Sequence, residues 1–262
     1  AFLGCLLLVE AGALATFTAR DAVLFFVAFE LVLVPMWVLI SRYGDPHDAG
    51  ARTEAGYRFV LYTAVGSTLM LVGILTLVTS AGTSDLWALA DGAGRALTPD
   101  RQLLVAALLV AGLAVKVPVF PVHTWLPSAH TTAPTAGSVL LAAVLLKMGT
   151  YGLVRLPVAT VPDGFARLAP VLAVLGVVGI IWGGLICLVE RDLKRLIAYS
   201  SVAHMGFVVL ALATGSETGL QAALFANIAH GVISALLFFL VGGLKARWGS
   251  VDLTVPRPAL RE

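Results

Sequence analysis

The chain has 262 residues, of which 59% are hydrophobic and 12% charged, with a mean hydropathy of +0.96. Soluble domains carry roughly twice that charged fraction, so a soluble globular domain is excluded. The net charge of +2 comes without a basic block, which gives no footing for nucleic acid.

Apolar runs of about 17–25 residues recur, each long enough to cross a bilayer. They lack the polar–apolar alternation of barrel strands. The expected fold class is therefore all-α: a polytopic transmembrane helical bundle with about eight spans. These are predicted near 1–19, 21–41, 58–80, 101–122, 132–154, 168–189, 195–214 and 218–243. Loops are expected at SRYGDPHDAGARTEAGYR, SAGTSDLWALADGAGRALTPD and LPVATVPDGFAR. Cys5 and Cys187 lie inside apolar runs, which argues against a disulfide framework. The chain opens on AFLGCLLLVE without an initiator Met and closes on VPRPALRE soon after a helix. It is expected to be a fragment, one transmembrane domain over 1–262.

Lysine and arginine in the loops orient the chain. Arg42, Arg52, Arg58, Arg191, Lys194, Arg195, Lys245, Arg247, Arg257 and Arg261 fall on one side, and Arg20, Arg95, Arg101, Arg155 and Arg167 on the other. The richer side, which includes the start of the chain, is predicted to be cytoplasmic.

Four ionisable residues fall deep within spans: Glu10, Glu30, Lys116 and Lys147. At about 1.5 Å per residue, Glu30 lies roughly 15 Å from Arg20, near the bilayer centre. A charge there costs on the order of 3 kcal/mol on insertion scales. Such residues mark proton or ion pathways, or else ion pairs that tie helices together. Lysine favours the pathway, because partial desolvation can switch its charge state.

The segment KVPVFPVHTWLPSAH begins inside the fourth span, and Pro118, Pro121 and Pro127 each remove a helix hydrogen bond. A Pro-broken helix is expected near 116–127, with freed carbonyls lining a wet cavity beside Lys116. His204 in YSSVAHMGF and His230 in NIAHGVISALLFF are candidates to pass protons, with Ser200, Ser201, Asn227 and Ser234 nearby. A satisfied interhelical hydrogen bond is the simpler alternative for each. His123 and His130 are expected near the cytoplasmic surface, solvated or capping. Glu10 either lines the same path or pairs outside the fragment.

The stretches HTWLPSAHTTAPTAGSVLLAAVLLKMGTYGLVR and LKRLIAYSSVAHMGF resemble the antiporter-like subunits of respiratory complex I. These subunits share a family with multi-subunit cation/proton antiporters and membrane-bound hydrogenases. FELVLVPMWVLI resembles the subunit M, mitochondrial subunit 4, class in particular. The resemblance covers essentially the whole chain. It implies part of a fourteen-helix fold with two inverted five-helix repeats, the first over 1–155 and the second beginning at 168–243.

The resemblance also implies that Glu30 pairs with Lys116, that Lys147 is a connecting lysine, and that His204 and His230 serve the second half. Ser234 stands where L-type relatives carry a lysine. The implied function is proton translocation within an NADH:quinone oxidoreductase, in a bacterial cell (inner) membrane. FMN, iron–sulfur clusters and quinone would be bound by other subunits, and sister antiporter-like subunits would be neighbours. The chain has no cysteine cluster for iron–sulfur ligation and no glycine-rich nucleotide loop. Other readings are a sodium/proton antiporter subunit, a membrane anchor with His204 and His230 as haem ligands, and a structural spacer.

Overall fold

The computed structural model describes residues 1–46 and 48–255. Arg257 and Arg261, counted above for orientation, lie outside the described residues. Among those described the chain is helical and no strand forms. Six helices are long and apolar enough to cross a membrane, and the protein is an integral membrane protein.

The chain begins with α1 (Phe2–Thr18), an apolar helix shorter than those six. The next span is split into α2 (Ala22–Leu31) and α3 (Leu33–Tyr43). Pro35 explains the split, since it has no N–H to offer the Leu31 carbonyl. Glu30 therefore sits one turn before an interruption.

Helix α4 (Ala49–Ala81) starts well before the predicted span. Most of the expected loop SRYGDPHDAGARTEAGYR is helix instead. Asp48 caps it by accepting from the Ala51 amide at 2.8 Å, and Glu54 pairs with Arg58 one turn on. Polar residues that satisfy a helix's own end extend it rather than break it. The next expected loop holds a short α5 (Leu86–Ala88) and a π-helical turn at Leu89–Ala93.

Helix α6 (Pro99–Lys116) has proline in its first turn and ends at Lys116. Residues 117–124 are turns, and helix resumes as α7 (Trp125–Thr132). The Trp125 indole N–H donates to the Val115 carbonyl at 2.9 Å, folding α7 back against the end of α6. The following span comprises α8 (Thr135–Leu140), a π-helical turn at Leu141–Leu145, α9 (Leu146–Leu153) and a second π-helical turn at Val154–Val158. Three long helices complete the bundle: α10 (Pro162–Val189), α11 (Leu193–Ala213) and α12 (Glu217–Trp248).

Two glycine pairs set close, reciprocal helix crossings. A Cβ on Gly66 of α4 would stand 2.8 Å from the Gly112 carbonyl oxygen of α6, and one on Gly112 would stand 2.5 Å from that of Gly66. On α10 and α11, Cβ atoms on Gly176 and Gly206 would lie 2.9 and 2.7 Å from the opposing carbonyl oxygens. Both crossings are backbone against backbone, the usual way of packing helices where no water drives association.

At the face opposite the predicted cytoplasm, residues 20–22 lie beside 84–86. The Ala22 amide donates to the Ser84 carbonyl and the Leu86 amide to the Arg20 carbonyl, each at 2.8 Å. Asp21 caps α2 by accepting from Val23 and Leu24. Hydrogen bonds from the Ser84 hydroxyl and the Leu24 amide hold its carboxyl below the usual aspartate range. On the other face Lys245 pairs with Asp45 across the chain.

Gly112→Val is expected to lower the thermal stability of the purified protein by about 1–3 kcal/mol or more, because the blocked position is backbone. Gly184→Ala, whose Cβ meets nothing within 4 Å, is the neutral control. Asp21→Ala should cost about 1 kcal/mol at neutral pH. A depressed carboxyl stabilises above its unfolded value of 3.8 and loses this as pH falls through the folded one. The difference from the parent protein should therefore shrink below about pH 4, read as Tm against pH.

Candidate functional site

Lys116 occupies the last turn of α6 and is buried. Its Nζ lies 4.8 Å from the centre of the Phe29 ring and 6.0 Å from that of Phe59, and it has no hydrogen-bond partner. A cation is tolerated there for two reasons: the carbonyl end of α6 carries partial negative charge, and the aromatic faces present their negative quadrupole.

The expected ion pair with Glu30 does not form. No Glu30–Lys116 contact lies within 4.0 Å, and Glu30 instead accepts from the Ser67 hydroxyl of α4. Short-range competition explains this: a hydroxyl one helix away is nearer to hand than an ammonium wrapped in aromatic rings.

Lys147 is also buried, just beyond the first π-helical turn of its span. Its ammonium donates to the Ala142 carbonyl at 2.9 Å and contacts His230 Nδ1 on α12. Either ring tautomer of His230 can meet this nitrogen: Nδ1 accepts from a charged lysine, or Nδ1–H donates to a neutral one. Gly231 makes the approach possible, since a Cβ there would stand 3.2 Å from Lys147 Cε. The glycine beside the histidine is thus part of the site.

The ring of His204 on α11 lies 5.5 Å from that of His230, tilted by 41°. His204 Nδ1 donates to the Ser200 carbonyl at 2.7 Å. Both rings open on a cavity of about 280 Å³ that is also lined by Ser200, Ser201 and Ser234. One nitrogen of each imidazole is already taken, by Lys147 and by the Ser200 carbonyl, and the rings are tilted rather than opposed, which disfavours the haem-anchor reading. Among the described residues, no group of three or more His, Cys, Asp or Glu could hold a metal ion.

Packing brings Lys116 and Lys147 onto adjoining helices. A Cβ on Gly149, two residues after Lys147, would lie 2.9 Å from a Val117 methyl and 3.1 Å from Lys116 Cβ. Direct contacts join a row of Lys147, His230 and His204, and Lys116 lies on a helix packed against that of Lys147. Asn227 is buried one turn before His230, with its carbonyl oxygen unpartnered. Glu10 is not part of this row: it is exposed on α1 and lines a separate groove.

Three placements correct the sequence reading. His123 and His130, expected at the surface, are both buried. His130 stacks on Phe238 of α12 at 4.2 Å, and neither ring nitrogen has a partner. His123 lies near the Phe120 and Tyr199 rings. Lys194, counted above as a loop charge, is buried and donates to the Ala133 carbonyl at 2.9 Å, where α7 gives way to α8. The interruption at Ala133–Pro134 frees a carbonyl, and a lysine answers it. The signal in the sequence is Pro134, which disfavours helix at Ala133.

Residues 19–255 match the family described as NADH:quinone oxidoreductase/Mrp antiporter, transmembrane. The chain belongs to this family. It is 46% identical over 237 residues to NAD(P)H-quinone oxidoreductase chain 4 1 of Synechococcus elongatus, covering 90% of this chain and 44% of that protein. It is 41% identical over 256 residues to NADH-quinone oxidoreductase subunit M of Pseudomonas aeruginosa, covering 95% and 50%. Among solved structures it resembles a chain of respiratory complex I from Thermus thermophilus with bound NADH. That match has a TM-score of 0.89 at 33% identity and covers 96% of this chain and 53% of that one. A chain of the Mrp complex from Dietzia sp. is similar at a TM-score of 0.84 and 27% identity, covering 94% and 45%. The chain spans about half the length of the relatives it matches. In this member of the family the Lys147–His230 contact ties α9 to α12.

Lys147→Ala and His230→Ala should each destabilise the protein, and the double substitution should cost less than their sum. The coupling is expected to be on the order of 1–3 kcal/mol. Thermal unfolding of the four proteins of the cycle measures it.

Proposed function

We propose that this chain is part of a proton-translocating membrane subunit of an NADH:quinone oxidoreductase. Quinone reduction elsewhere in the complex would drive protons through it. The observation that supports this best is the buried Lys147–His230 contact, on a helix packed against that of Lys116, in a chain whose relatives include NAD(P)H-quinone oxidoreductase chain 4 1 and NADH-quinone oxidoreductase subunit M. Lysine and imidazole both take and release protons when partly desolvated. Their placement inside a bundle is the pattern of a proton relay.

Lys116 is the loading site in this reading. Its lone Nζ beside two aromatic rings lets it shed or gain a proton without first breaking a hydrogen bond. Glu30 acts on it through the field rather than by contact, and movement of the Ser67–Glu30 pair alters that field. Lys147 receives the proton and passes it by way of His230 to His204. Buried His130 and Lys194 extend the polar interior toward the cytoplasmic face. The turns at 117–124 serve as the helix break that hydrates Lys116, with Pro118 and Pro121 holding it open. On this reading α1 and α6 also cross the membrane, which makes eight spans. Residues 1–155 form the first inverted repeat, and the second begins at 168–243. Sister antiporter-like subunits flank it, and FMN, iron–sulfur clusters and quinone sit on other subunits.

A second reading is a subunit of a sodium/proton antiporter or a related membrane complex. The likeness to chains of the Mrp complex and of an archaeal membrane-bound sulfane sulfur reductase, each at 27% identity, favours keeping it.

The test replaces Lys116 with Ala in the full-length subunit within its complex, in sealed vesicles. NADH-driven proton uptake should fall on the order of 100-fold, with electron transfer to a ferricyanide-type acceptor and assembly retained. Glu30→Gln should slow uptake more mildly. Undiminished uptake in Lys116→Ala would reduce the lysine to a structural element, and sodium-dependent uptake without NADH would favour the antiporter reading.

A further inference from the structure

On the face opposite the predicted cytoplasm, Arg20, Trp87, Tyr151 and Arg155 border an open pocket of about 510 Å³. The Arg155 guanidinium lies 5.3 Å from the centre of the Trp87 ring, and its Nε is shielded without a hydrogen-bond partner. Neither arginine has a carboxylate within 4.0 Å. Elsewhere on this face Arg101 donates to Ser80, and Arg167 reaches Asp100 at 4.0 Å. The nearby acids Asp21 and Asp85 are engaged as helix caps, accepting from Val23 and Leu24 and from Trp87 and Ala88. The pocket thus presents two cations to an anion that the described residues do not supply.

Phe17 forms a wall common to this pocket and to a groove of about 800 Å³ between α1 and α8. The Tyr151 hydroxyl holds that wall by donating to the Phe17 carbonyl at 2.9 Å, with the two rings edge to face at 5.2 Å. Below it the groove is apolar where Ala13, Leu14, Val139 and Leu140 line it, reaches Glu10, and continues past it to Leu6. Arg20 to Glu10 is about 15 Å along the helix, half of a hydrocarbon core about 30 Å thick. A charged end at the interface, an aromatic at headgroup level and an apolar trough one leaflet deep match one ligand class.

We infer that an anionic phospholipid binds here, its phosphate between Arg20 and Arg155 and an acyl chain in the groove between α1 and α8. Charge complementarity, and the adjacency of the two cavities across Phe17, select a lipid over a protein helix, which would leave the arginines unmet.

The experiment uses the full-length subunit in its complex, reconstituted in phosphatidylcholine nanodiscs. A trace of phosphatidylglycerol carrying an acyl-chain diazirine is added and photolysed, and the labelled peptides are mapped. Labelling should fall on residues 6–17 and 139–144 and be displaced by unlabelled phosphatidylglycerol but not by phosphatidylcholine. Each of Arg20→Ala and Arg155→Ala should lower the preference over a phosphatidylcholine probe roughly five-fold, and the lysine versions should keep most of it. Leu14→Trp, which leaves both arginines in place, should reduce labelling without altering headgroup preference. Assembly is checked on native gels, so the Leu14 variant keeps the test open if an arginine variant fails to assemble. Equal labelling by both probes would overturn the inference. So would displacement by millimolar inorganic phosphate, or absence of label because a protein helix crosslinks to α1.

Discussion

An ammonium group placed in hydrocarbon must be met by lone pairs or by aromatic faces. Much of this bundle's irregularity is the answer to that requirement. Lys147 is met by a carbonyl beside a π-helical turn and by an imidazole on another helix. Lys194 is met by a carbonyl exposed where α7 ends. Lys116 is met by two rings at the carbonyl end of its own helix. In each case the backbone departs from a continuous α-helix either beside the lysine or at the carbonyl that meets it, so the breaks in helix geometry and the positions of charge are linked.

The proton-carrying reading rests on how differently the lysines are satisfied. Lys147 has two partners and is held in place, which suits a relay station with fixed neighbours. Lys116 has rings only, so its charged state depends on the surrounding field and is easily biased. A relay needs both kinds: one group whose occupancy can be shifted, and others that pass a proton along a fixed geometry. The glycine beside His230 and the one following Lys147 serve the second kind by letting helices approach at the required points.

Much of this was legible in the chain because bilayer thickness and charge cost are severe filters. Glu30, Lys116, Lys147, His204 and His230 stand out by type and depth alone. His130 and Lys194 did not, because each lies next to a proline or among charges and looks like loop. Their burial is decided by Phe238 and Ala133, which are remote in sequence or belong to a break whose direction is not written locally. The helical start of α4 was missed for the converse reason: Asp48, Glu54 and Arg58 are as suited to a helix end as to a loop. The Glu30–Lys116 pair failed because opposite charge at matching depth says nothing about which hydroxyl or ring lies between.

The glycine crossings carry a mechanical meaning. At Gly66–Gly112 and Gly176–Gly206 the contact is main chain on main chain, with no rotamers available to absorb a displacement. Each helix pair should behave as a stiff strut, transmitting a push at one membrane face to the other with little loss. The seam at Gly231 meets the Ala143 carbonyl and the flexible stem of Lys147, each 3.2 Å from a Cβ placed there. Compliance in this bundle is therefore concentrated where its titratable groups meet, so that a shift of rigid struts becomes a change in distance between proton-holding atoms.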